Sequence, residues 1–202
     1  MNGLVRIYTG VFHAIERFLE PWFLGFLARF AFAGVLFLYF FNSAQTKVGD
    51  GIAGFFQVQA GAFFQILPAA IERFNYDPSQ VPFFPYGLMV YAGTYGEFIL
   101  PILVVIGLFT RVAALGMIVF VAVQTYVDIA FHQVEAETVG MLFDRIANSA
   151  ISDQRTLWLF PLLYLVVKGP GLLSLDWLLG RGAAKERSEP EPALSSSTAT
   201  VE

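Results

Sequence analysis

The chain has no cysteine. Disulfides, thiolate catalysis, iron–sulfur clusters and cysteine-ligated zinc are therefore excluded within it. His13 and His132 are the two imidazoles of the sequence. That is too few for self-contained haem or metal redox chemistry, so neither a metal nor a covalent cofactor is expected. Asp, Glu, Lys and Arg make up 14% of the residues, against about 25% in ordinary soluble domains. The net charge is −4 and no basic stripe interleaved with aromatics occurs, which argues against nucleic acid. GxSxG, phosphate-loop, HExxH and CxxC patterns are missing, and no catalytic residue is assigned. Inverted repeats with broken helices, the mark of many transporters, are missing too.

What the chain has in excess is apolar length. Of its 202 residues 56% are hydrophobic, and the mean hydropathy is +0.63. The excess is gathered into long runs, so the expected class is an all-α integral membrane protein in the lipid bilayer. Span one reads as residues 22–41 and span two as residues 86–109. A tight turn at Thr110–Arg111 leads to span three, residues 112–131. A run of 20 residues reaches ~30 Å, the hydrocarbon thickness. The fourth clean run, residues 156–167, has 12 residues, and spans only if it is extended through residues 152–155. Counting it gives a four-helix bundle.

Amphipathic helices frame the spans. Residues 4–20 place Leu4, Ile7, Tyr8, Val11, Phe12, Ile15 and Phe18 on one stripe and Arg6, His13, Glu16 and Arg17 opposite, the pattern of a helix lying in the membrane surface. These charges also make a poor signal peptide. A second interfacial piece, broken near Pro68, follows span one, and a short third one (GLLSLDWLLG) follows span four. The organisation is then an N-terminal helix (1–21), a membrane domain (22–180) and a disordered cytoplasmic tail (181–202) rich in Glu, Pro, Ser and Thr. Arg6, Arg17, Arg111, Lys168, Arg181, Lys185 and Arg187 lie on the side of the termini, and Lys47, Arg73, Arg145 and Arg155 on the other. Seven against four puts both termini in the cytoplasm.

Arg29 and Glu97 are the charged residues deepest in spans one and two. An intramembrane carboxylate costs about 2.5–3.5 kcal/mol on insertion scales, so a partner is required. Antiparallel spans put the two groups at similar depth, and an intramembrane Arg29–Glu97 pair is expected. Pro101 frees the carbonyl four residues back, that of Glu97, for which Arg29 has donors. The pair is either a functional site or a device that fixes helix register. Gln124 and Asp128, spaced i, i+4 on span three, and His132 beyond them are a candidate ligand or proton path, or ordinary headgroup-level polar residues. Arg111 reads as a topology determinant and helix cap.

The ordered set of elements resembles the DoxX family of small bacterial membrane proteins. The residues that carry the resemblance are Arg29, SAQTKVGD with Lys47, YAGTYGEFILPILVVIGLFTRVAALG with Glu97, Pro101 and Arg111, and KGPGLLSLDWLL with Asp176. It covers about residues 25–180, and the connections 48–85 and 133–152 look longer than the family pattern. The resemblance implies an inner-membrane subunit or anchor of a redox-linked assembly. A redox enzyme would be its partner, and a quinone or small apolar molecule would bind near Arg29 and Glu97. A non-catalytic assembly or chaperone protein with a structural ion pair, homo-oligomeric or not, and a small transporter are the alternatives.

Overall fold

A computed structural model describes residues 3–180. The tail expected to be disordered lies outside the described residues. Helix α1 (Gly3–Leu19) keeps the expected stripe, and none of its residues is buried. Pro21, which lacks an N–H, ends it. The first long helix then runs from Phe23 to Gln45. Its parts are α2 (Phe23–Phe32), a π-helical turn (Ala33–Phe37) and α3 (Leu38–Gln45). It outruns the expected end at Phe41 by four residues because Ala44, fully buried, still packs inward.

The connection after it holds three short helices instead of one broken helix: α4 (Gly51–Phe55), α5 (Ala60–Ile66) and α6 (Pro68–Glu72). The break at Leu67 follows from Pro68, which disfavours helical backbone in the residue before it and suits the first helical position itself. The earlier break is a tight loop closed by a Val48–Val58 bridge, where Gly54 crosses Gly49 so closely that a Cβ would come within 2.4 Å of its carbonyl carbon. This connection is not merely interfacial. Ala62 and Ile71 are buried, and α5 packs on the second long helix, with Ile66 against Gly93. Beyond it Asp77 closes a turn, accepting hydrogen bonds from the amide and hydroxyl of Ser79 and from Gln80.

Helix α7 (Leu88–Ile106) follows a kinked entry at Phe83–Gly87. Gly107, at φ +73°, ends it, and the amides of Gly107 and Leu108 both return to the Leu103 carbonyl, a glycine-based C-terminal cap. Helix α8 (Thr110–Ala130) comes straight back. A one-turn helix α9 (Ala136–Val139) lies in the last connection, and α10 (Ser152–Lys168) ends at Gly169. No strands occur among the described residues.

The four long helices form a closed ring, in which the first contacts α7, α7 contacts α8, α8 contacts α10 and α10 contacts α2. Phe32, Leu36, Phe40, Val104, Met117, Val121, Leu162 and Leu165 fill the centre, and Ala113 and Ala114 let α8 approach. The outside is equally apolar: Phe30, Val35, Ile99, Val119, Leu157 and Phe160 all face outward. Such a surface suits lipid, not water. Three helical stretches, Phe23–Gln45, Phe83–Ile106 and Thr110–Ala130, are long and apolar enough to cross a membrane. The fourth, at 17 residues, falls short of that length, so three of the four expected spans meet it.

Candidate functional site

The structure divides the expected Arg29–Glu97 pair. Glu97 sits midway along α7, 2% exposed, and its partner is Lys47, whose Nζ lies 2.6 Å from Oε2. Lys47 follows the first long helix, where its amide donates to Ala44 and its carbonyl accepts from Gln59. That pinning turns the side chain back along the helix, so Nζ also donates to the carbonyl (3.1 Å) and hydroxyl (2.9 Å) of Ser43. All three ammonium donors are thereby used. Phe55 packs on Phe98, and Tyr95 donates to the Phe55 carbonyl, so α4 roofs this part of α7.

Arg29 serves another joint. Its guanidinium donates to the carbonyls of Val105 (3.0 Å) and Leu173. Val105 is in the last turn of α7, where carbonyls lack helical partners. Asp176 works on the same turn from the other side. Its carboxylate accepts from the amides of Phe109 (2.7 Å) and Thr110 (2.9 Å) and from the Thr110 hydroxyl (2.7 Å), while its own amide donates to Gly107. A carboxylate at the start of α8 supplies the missing cap and complements the helix dipole. Gly107 is required here: a Cβ would lie 2.6 Å from the Ser174 Cβ and 3.1 Å from an Arg29 nitrogen.

Axial position keeps Arg29 from Glu97. Val105 is eight residues, about 12 Å, from Glu97 along α7. Similar depth for the two groups follows only if the midpoints of residues 22–41 and 86–109 coincide, but the first long helix extends to Gln45, which leaves Arg29 near the turn. Several orphan carbonyls at a helix end compete for a guanidinium better than the single one freed by Pro101, which is itself buried within α7.

The candidate path also separates. Gln124 donates to the Tyr39 hydroxyl (3.0 Å), Asp128 pairs with Arg155 (2.5 Å), and a ring nitrogen of His132 lies 3.4 Å from the Gln65 carbonyl. Arg155 also donates to the Thr125 hydroxyl (2.7 Å), which in turn donates to Val121. Among the described residues no hydrogen bond joins these groups to Glu97. Arg111 lies against Gly169, at the end of α10, so it faces the negative end of a neighbouring helix rather than its own. Sequence reasoning missed Arg155, although the signal was present: a fourth apolar run too short for the bilayer draws its flanking polar residues inward.

An open apolar groove of about 820 Å³ runs between α2 and α10, lined by Leu27, Ala31, Val35, Trp158, Pro161 and Tyr164 among others. It touches neither Lys47 nor Glu97. No group of three metal-ligating side chains occurs among the described residues.

Residues 24–133, more than half of the chain, match the family model DoxX. No curated protein and no solved structure matches.

Proposed function

We propose a function from one premise: the chain belongs to the DoxX family. It is an integral membrane protein, and our reading is that it anchors a redox-linked assembly in the bacterial inner membrane, both termini in the cytoplasm, without chemistry of its own. One observation carries this. The buried charges are occupied by the protein itself: Lys47 by Glu97 and Ser43, Arg29 by two carbonyls, Arg155 by Asp128 and Thr125, while the half-buried Asp176 is taken up by the α7–α8 turn. Among the described residues no buried acid or base stands without a partner; the donors these groups leave over are the Nε atoms of Arg29 and Arg155. In this reading an isoprenoid tail, such as that of a quinone, would lie in the apolar groove between α2 and α10, which is lined by Ala28 next to Arg29 and does not include Glu97.

The test is deletion and complementation in the host. Removing the chain lowers the quinone-reducing activity of isolated membranes. Adding back the Lys47→Met/Glu97→Gln double variant restores it, because the pair holds helices together and does not handle protons. Unchanged activity on deletion would refute the anchoring role. Failure of a well-folded double variant would favour a proton-handling site instead.

A further inference from the structure

The connection between α8 and α10 presents Met141, Leu142, Phe143 and Ile146 outward, with relative exposures of 66%, 45%, 104% and 63%. Four apolar side chains at a loop tip are poorly suited to water. The length of α10 explains them. Its last residue, Lys168, pairs with Glu20 (3.3 Å), and the Leu172 amide donates to Pro21. These contacts fix the end of α10 level with the start of the first long helix. From there α10 rises 17 residues, about 25 Å, while the first long helix rises 23 residues, about 34 Å. Gln154 and Leu36 line the same groove, as this alignment requires. Ser152 therefore ends about 9 Å below the top of its neighbour and about 5 Å short of a 30 Å hydrocarbon layer.

The chain entering α10 thus runs at bilayer depth in non-helical form, which is tolerated only where the protein satisfies the backbone. It does so here. Ser149 donates its amide and hydroxyl to the Asp153 carboxylate and accepts from the Asp153 amide. The Ile151 amide donates to Thr138, and the Ser152 hydroxyl to Gly140. Gly140, at φ +63°, is so close to Ser149 that a Cβ would come within 2.2 Å of its side chain. The neck is closed and leaves an eight-residue tip, 141–148, of short reach. Arg155, paired with Asp128, is the buried charge that this placement demands.

We propose that this tip is a lipid-docking surface. Met141, Phe143 and Ile146 seat in the headgroup–acyl boundary of the leaflet on the connection side, which completes a fourth crossing that α10 alone is too short to make. The site lies beyond the residues matched to the family, and its occupant is the bilayer. Asp144, half-buried, accepts from the Ile146 amide within the tip (2.8 Å), and the exposed Arg145 has a stem long enough to carry its charge back to water.

A chain without cysteine allows a clean test. Single variants Phe143→Cys and Glu137→Cys, both at exposed positions, are nitroxide-labelled in phosphatidylcholine proteoliposomes. Collisions with dissolved oxygen and with a water-soluble nickel chelate are then compared. The expected result is oxygen collisions exceeding nickel collisions several-fold at 143, with the reverse at 137. Nickel accessibility at 143 equal to that at 137 would overturn the proposal, because the tip then stands in water. Low collision rates with both reagents at 143 would also overturn it, because the tip is then covered by a second copy of the chain.

Discussion

Glu97→Gln leaves the Lys47 ammonium buried with neutral acceptors, the two oxygens of Ser43 and the new amide oxygen, and no counter-charge. Breaking a buried ion pair by removing one member costs about 3–5 kcal/mol, because the surviving charge is uncompensated. Against a total stability of roughly 5–15 kcal/mol, the single variant is expected to lose a large share of its folded population. The double variant Lys47→Met/Glu97→Gln removes both charges and keeps the volume. Replacing a buried pair by apolar groups is often neutral or stabilising by about 1–4 kcal/mol, and an amide left without a partner at position 97 costs about 1–3 kcal/mol against that, so the double variant should fall close to the parent chain.

The assay is equilibrium unfolding in detergent or bicelles, read as a complete cycle of two single variants and the double. A coupling of at least about 2 kcal/mol is expected, within the range of contacting residues. Arg29→Met supplies the contrast. Arg29 bonds to Val105 and Leu173 rather than to Glu97, so Arg29→Met and Glu97→Gln should add to within about 0.5 kcal/mol. Additivity between positions 47 and 97, or strong coupling between 29 and 97, would refute the assignment of partners.

Gly107→Ala is expected to destabilise by more than the roughly 1–2 kcal/mol of a left-handed residue, because Ser174 and Arg29 leave no room for the methyl group; a thermal midpoint unchanged from the parent contradicts this. Asp176→Ala should lose about 0.5–2 kcal/mol through the cap of α8, and faster amide exchange at Phe109 and Thr110 reports that loss directly. At Asp77, hydrogen bonds from the Ser79 side chain, the Ser79 amide and Gln80 hold the carboxyl below the ordinary aspartate value. A depressed value means the turn is favoured above the ordinary range and loses that contribution as pH falls through the lowered value. Carboxyl-carbon NMR should show the shift, and Ser79→Ala should move the midpoint upward; an Asp77 midpoint at the ordinary value overturns the turn geometry.

The membrane class, the α7–α8 hairpin and the stripe of α1 were legible because each rests on long apolar periodicity. Residue types at the polar joints were legible too: Arg29, Lys47, Glu97 and Asp176 all stood out. Their pairing was not. Span ends drawn from hydropathy missed the extra turn at residues 42–45, since Asn42, Ser43 and Gln45 are polar while Ala44 packs inward. That turn carries the chain to Lys47 and puts its side chain in reach of Glu97. The Arg29 contacts depend on a segment 144 residues away in sequence, which no local pattern reveals. The short helices after the first long helix were hidden by glycine, whose close crossing at Gly49 and Gly54 is a tertiary property.

The joints share one logic. Arg29 and Asp176 act at the α7–α8 turn, Lys47 at the end of the first long helix, and Arg155 in the first turn of α10. These are the places where helices leave backbone groups unpaired and where the chain must turn within or near lipid. Helices in a bilayer are not pressed together by water, because lipid tails are as apolar as leucine. Apolar packing alone then leaves axial sliding weakly opposed, since one outward phenylalanine resembles the next. A carboxylate or guanidinium bonded to particular backbone groups of a neighbour changes that, because sliding by one turn would strand a charge in hydrocarbon. The polar residues of this chain thus set register at three joints, and the apolar outer surface stays free to meet lipid or a partner subunit.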